Sequence, residues 1–156
     1  MKKLLLLTTL FLAFACSKDD EDGDDNSSEP KTFLEKYDGT SWRGGSSTDS
    51  SILTLIDGTY FYNFVDLYNG DVNECYKAKR GAQISDGEQM EVTIKKNEPD
   101  EMIWEFKIGG VLSDRLSLTI KGETLTERVT YFDEEGSFDK TYTYTKTSAS
   151  YSDYCN

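Results

Sequence analysis

From residue 41 to residue 146 the chain runs as short segments rich in Val, Ile, Thr, Tyr and Phe, broken at near-regular intervals by turn-forming residues. The breaks are "DG" at 57, "NG" at 70, "SDGE" at 85, "NEPDE" at 97, "GG" at 109, "KG" at 121 and "DEEG" at 133. β-branched and aromatic residues suit a pleated, half-buried surface. The pattern therefore predicts strands near 41–45, 50–56, 59–67, 72–79, 88–96, 102–108, 112–120, 123–132 and 137–146. Only "TFLEKY" ahead of them reads as helix, with Thr32 and Glu35 at the spacing of a capping box. No segment is long enough for a crossover helix, so successive strands should pair antiparallel, giving an all-β meander of about eight to nine strands.

Residues paired across a hairpin share a face and their numbers sum to a constant, so the loops can be tested against the apolar positions. A five-residue loop at "NEPDE" pairs Ile94 with Trp104, Val92 with Phe106 and Met90 with Ile108. A three-residue loop at "GGV" pairs Ile108 with Leu112, Trp104 with Leu116 and Met102 with Leu118. The "KG" turn pairs Leu118 with Leu125, and "DEEG" pairs Tyr131 with Phe138 and Leu125 with Tyr144. One continuous apolar face results. It must either close into a barrel, which removes the exposed edges, or fold into a β-sandwich. On the other face Lys95, Glu105, Lys107, Asp114, Arg115, Thr126 and Arg128 are expected to point outward. Such a surface is too polar for a membrane-spanning barrel.

The "GTSW" stretch at 39–42, then "LTLIDGTYFY" and later "LSLTIKGETL", resembles the lipocalin-like domains of bacterial lipoproteins over about residues 37–146. The resemblance implies an up-and-down barrel with a ligand-sized mouth, and names no ligand.

The N-terminus changes the picture. Lys2 and Lys3 precede the apolar run "LLLLTTLFLAFA", the pattern of a secretory signal peptide. As a helix the run would reach only ~18 Å, short of a ~30 Å hydrocarbon core. The next residue, Cys16, follows Ala15 as in a lipobox, although Ala13 stands where Leu is commonest. "CSKDDED" resembles the start of Bacteroidota-type surface lipoproteins, which implies a lipidated Cys16 and an outer-membrane, surface-exposed address. Residues 17–29 hold seven acids and one Lys, with nothing apolar to bury, so they read as a solvated tether. An EF-hand reading of "DDEDGDD" fails, because Asp25 falls where Gly is required and Lys31 where Glu is required. The expected organisation is a signal peptide at 1–15, a tether at 16–31, one barrel domain at 32–147 and a tail at 148–156.

Residues 30–156 contain 22 acids and 14 bases, which disfavours nucleic acid as a partner. With no histidine in the chain, Ser/His/Asp and Cys/His catalysis and His-ligated zinc cannot be assembled. A carboxylate-pair hydrolase is the one enzymatic exception left open; otherwise the reading is a monomeric, non-enzymatic binding protein with no cofactor and no metal.

Three sets of residues carry the remaining expectations. Glu127 is placed inward opposite Tyr142, between Leu125 and Val129. It is either ion-paired with Lys140 or a polar handle for a ligand, together with Trp104, Tyr142 and Tyr144. "TYFYNFVDL" is apolar on both faces. The "DG" turn sets Leu55 beside Tyr60 and Leu53 beside Tyr62, and the "NG" turn sets Phe64 beside Cys75. The stripe Tyr60, Tyr62 and Phe64 is then either an interaction face or a surface covered by the tail; Ile52, Ile56, Phe61, Val65 and Leu67 make up the other face. With Cys16 acylated, Cys75 and Cys155 remain as a pair in an oxidising setting and are expected to form a disulfide, drawing "TSASYSDYCN" over the stripe. Two functions stay open: a lumen that holds a small, largely apolar molecule, or a filled barrel that displays loops or aromatics to a protein or glycan.

Overall fold

The computed structural model describes residues 32–85 and 87–155; the expected signal peptide, the expected lipidation at Cys16 and the expected tether lie outside the described residues. A short helix α1 (Phe33–Tyr37) is followed by ten strands: β1 (Ser41–Gly45), β2 (Asp49–Leu55), β3 (Tyr60–Tyr68), β4 (Asp71–Lys79), β5 (Gly81–Ser85), β6 (Glu88–Glu98), β7 (Glu101–Ile108), β8 (Val111–Lys121), β9 (Thr124–Asp133) and β10 (Gly136–Thr147). A 3₁₀ turn at Tyr151–Asp153 follows. All pairings are antiparallel, in the order β4-β3-β2-β1-β10-β9-β8-β7-β6-β5. The sheet curls into a nearly closed barrel joined through β1 and β10 and open along one seam, between β4 and β5. Only Arg80 separates those two strands, too little chain for a two-residue hairpin, and Gly81 turns there with φ +90°.

The parity argument holds for the face of each later strand but not for every register. Ile94 pairs with Trp104, Trp104 with Leu116, Tyr131 with Phe138 and Leu125 with Tyr144, as expected. Five details differ. The β6–β7 turn is Pro99-Asp100 instead of the five residues 97–101, with a bulge between Ile94 and Lys96. The β7–β8 turn is the two residues Gly109 and Gly110, and a bulge after Phe106 restores the register, so Ile108 meets Val111 and Phe106 meets Asp114. The β8–β9 turn is Gly122-Glu123 rather than Lys121-Gly122, which sets Leu118 opposite Glu127 and Ile120 opposite Leu125. At the "DG" turn Leu55 pairs with Tyr62 and Leu53 with Phe64, two residues further along β3 than expected. The tenth strand, β5, was not expected: it has five residues, and its one large apolar side chain, Ile84, is 80% exposed, so it carries no alternation.

One end of the barrel is sealed. Thr32 caps α1 in a complete capping box, its Oγ1 accepting from the Glu35 amide at 3.1 Å while Glu35 Oε2 accepts from the Thr32 amide at 3.0 Å. The Leu34 amide donates to Asn97 Oδ1 at 3.1 Å, which fixes the helix across the mouth of β6 and β7. Phe33 and Leu34 are thereby fully buried in a floor shared with Trp42, Leu53, Leu55, Met102, Leu118 and Leu125.

The outer face is partly covered as well. Two bulges in the β3–β4 ladder move the residues of this hairpin relative to the expected register. Cys75 pairs with Val65 instead of Phe64, so it lies on the outer face. Cys75 and Cys155 do stand at disulfide distance, with Cα atoms 6.2 Å apart. The tail therefore covers Ile52, Val65 and Leu67, and Tyr151 and Tyr154 pack there, not over Tyr60, Tyr62 and Phe64. Phe61, expected to share the face of Ile52, Val65 and Leu67, is the extra residue of the first bulge and joins the interior against Trp104, with ring centroids 5.2 Å apart.

Candidate functional site: an acidic, aromatic lumen

Above the floor the barrel is not filled. A cavity of about 650 Å³ opens at the end carrying the β1–β2, β3–β4, β7–β8 and β9–β10 turns. Its inner wall is aromatic: Tyr62 lies with its ring centroid 5.5 Å from that of Trp104 and 6.1 Å from that of Tyr76, and Phe61 completes the group. Burial pushes the Tyr62 and Tyr76 hydroxyls above their ordinary range, so both rings stay neutral and act as polar-tipped apolar surface.

Glu127 sits at the lower edge of this space, 8% exposed, facing inward opposite Tyr142 and Leu118 as the alternation of β9 requires. Its partner is Tyr144, whose hydroxyl donates to Oε2 at 2.7 Å. Burial raises the Glu127 carboxyl above its usual value, and the Tyr144 hydrogen bond opposes that rise. Burial, and after it the nearby Glu127 carboxylate, drives the Tyr144 hydroxyl far up.

Lys140 does not meet Glu127. It pairs with Val129, two residues before Tyr142 on β10, and its ammonium lies over the stacked rings of Tyr131 and Phe138, 5.4 Å and 5.9 Å from their centroids. Tyr142 is 40% exposed because β1 ends at Gly45 and leaves β10 above Tyr144 paired on one side only. Trp104, Tyr142, Tyr144 and Glu127 thus come together in the wall, while Lys140 stays at the rim. Of the stripe, Tyr62 and Phe64 line the lumen and Tyr60 is exposed at the other end of β3.

The sequence reading missed several wall residues. Asp114, expected outward, faces inward because it is paired with Phe106 and shares the parity of Leu116 and Leu118, a signal present in the numbering itself. Asp66 shares the parity of Tyr62 and Phe64 on β3, whereas Glu74 and Tyr76 reach the wall through the bulged β3–β4 register, which no local pattern announces. Among the described residues no group of three or more Asp, Glu or Cys converges in a way that could hold a metal ion. No protein-family model, no curated protein and no solved structure matches this chain.

Proposed function

We propose that this chain is a lipid-anchored protein of the outer membrane, a binder and not an enzyme, whose lumen holds a small, largely apolar molecule. The carrying observation is the open cavity of about 650 Å³ above a sealed floor, within the range of pockets that enclose drug-sized ligands. A filled barrel would have favoured display of an outer aromatic face to a protein or glycan. Here two members of the Tyr60, Tyr62 and Phe64 stripe turn into the lumen instead. Lipid attachment at Cys16 would tether the domain through residues 17–29, a solvated acidic leash.

The test is uptake of N-phenyl-1-naphthylamine, a neutral apolar fluorophore whose emission rises in a dry site. Saturable binding is expected. Leu116→Trp, which adds bulk to the lumen wall beside Trp104, is expected to remove it while the circular dichroism of the sheet is kept. A protein that takes up no probe, or binds it equally well with the wall filled, does not use its lumen in this way.

A further inference from the structure

Acids and bases are distributed unevenly between the two faces of the sheet. On the outside, carboxylates are matched with cations: Glu105 with Lys95 and Arg115, Glu101 with Lys96, and Asp139 with Arg128. The lumen wall holds Asp49, Asp66, Glu74, Asp114 and Glu127, and neither Lys nor Arg. None of the ion pairs among the described residues reaches these five. Three of them accept only from neutral donors: Asp66 from Asn73 Nδ2 at 2.7 Å, Asp114 from Ser113 Oγ at 2.9 Å and Glu127 from Tyr144.

A concave wall of one sign focuses its potential into the space it encloses, and a nine-tenths buried carboxylate such as Glu127 gains most from a cation brought to it. The faces of Tyr62, Tyr76, Trp104 and Tyr142 add quadrupoles that attract the same charge. The acids are spread around the wall instead of converging on one point, which suits a cation carried on an extended body better than a divalent metal.

We infer that the lumen is built for a hydrophobic organic cation, an amine or quaternary ammonium whose charge docks between Glu127 and Asp114 and whose apolar body lies along the aromatic wall. This rests on the lumen-binding reading and adds the sign of the ligand's charge. Anionic amphiphiles such as fatty acids are disfavoured by the same field.

Decyltrimethylammonium, decanol and decanoate share one alkyl chain and differ in charge. Each is titrated below its micellar concentration into the full chain, with displacement of N-phenyl-1-naphthylamine as the readout. The cation is expected to bind about tenfold or more tighter than the alcohol, with decanoate weakest. Tetramethylammonium, which is drawn to the acidic residues 17–29 as strongly as any cation, is expected to displace nothing. In Glu127→Gln and in Asp114→Asn the ratio of cation to alcohol affinity should fall by about threefold or more. Asp114 lies only half-buried near the open end, so its variant carries the test even where Glu127→Gln folds poorly. Alcohol binding as tight as the cation's overturns the inference and leaves the lumen reading in place, as does a probe that binds and is displaced by none of the three. Displacement by micromolar calcium chloride overturns it in favour of a metal. A probe that does not bind at all takes the lumen reading down as well.

Discussion

Tyr144 reaches Glu127 because its neighbour on β1, Gly44, has no side chain: a Cβ there would stand 2.7 Å from Tyr144 Cδ1. Tyr144→Phe removes the donor and leaves a buried carboxylate without it, so a loss of about 1–3 kcal/mol is expected in urea denaturation at neutral pH. Gly44→Ala should produce a similar loss by displacing the ring, and combining it with Tyr144→Phe should cost less than the sum of the two, because the hydrogen bond can be lost only once; full additivity would show that the added methyl acts on the packing of the ring, which Phe keeps, and not on the hydrogen bond. The pH dependence of Glu127 and Glu105 has opposite sign. Glu127 is raised by burial above its unfolded value of 4.5, so on acidification the native state takes up this proton first. The carboxyl therefore adds stability as pH falls through its folded value toward 4.5, and the Tyr144→Phe penalty should shrink over that window. Glu105, on the outer face, is held below 4.5 chiefly by Arg115, which donates at 2.6 and 3.1 Å, and also by Lys95. Its contribution is complete above 4.5 and is lost as pH falls through the lowered folded value. Glu105→Gln should thus cost about 1–2 kcal/mol at pH 7 and almost nothing in acid, which paired pH titrations of the melting temperature will show.

At the scale of elements, the tail is placed by a cysteine pair at disulfide distance and by a small apolar patch of its own. Cys75 and Cys155 are 80 residues apart, and closing such a loop stabilises by up to about 4–5 kcal/mol in the chain-entropy model, with measured gains often smaller. Cys155→Ser should lower the unfolding free energy by about 2–5 kcal/mol and expose Ile52, Val65 and Leu67 on the outer sheet. Free-thiol titration of the denatured, unreduced, exported protein is the direct check: two reactive thiols would mean that the pair is not bonded and that the patch alone holds the tail. The hairpins show which element properties are readable locally. Long strands with polar outer faces, β6 to β10, keep the face that alternation assigns them, because a one-residue slip would bury Arg115 or Arg128 and expose Trp104 or Leu125. In β3, apolar on both sides, slippage carries no such penalty, and there the bulges part Phe61 from Val65 and Leu67 and set Cys75 on the face of Val65 instead of that of Phe64.

The whole molecule is a cup: α1 and the lower core close one end, the cavity occupies the other, and a seam runs between β4 and β5. Anchoring belongs to this scale. Cys16→Ser is expected to move the protein from the membrane fraction to the soluble one, and unchanged membrane retention would place the anchor elsewhere. The strand–turn pattern by itself determined the all-β class, the antiparallel meander, the capped helix and the inward face of the later strands. It could do so because alternation, turn chemistry and capping depend on residues close together in the chain. It also placed Glu127, Tyr142, Tyr144 and Trp104 on one wall, since parity carries through tight turns without loss. Only the tertiary structure decided where the sheet stays open, that the lumen is hollow and that its acids lack cations. Those outcomes depend on bulges, on β1 stopping at Gly45, on a one-residue link at Arg80 and on Lys140 choosing two aromatic rings over a carboxylate. Each of these is a contest between distant side chains for the same space, and no window of sequence contains both competitors.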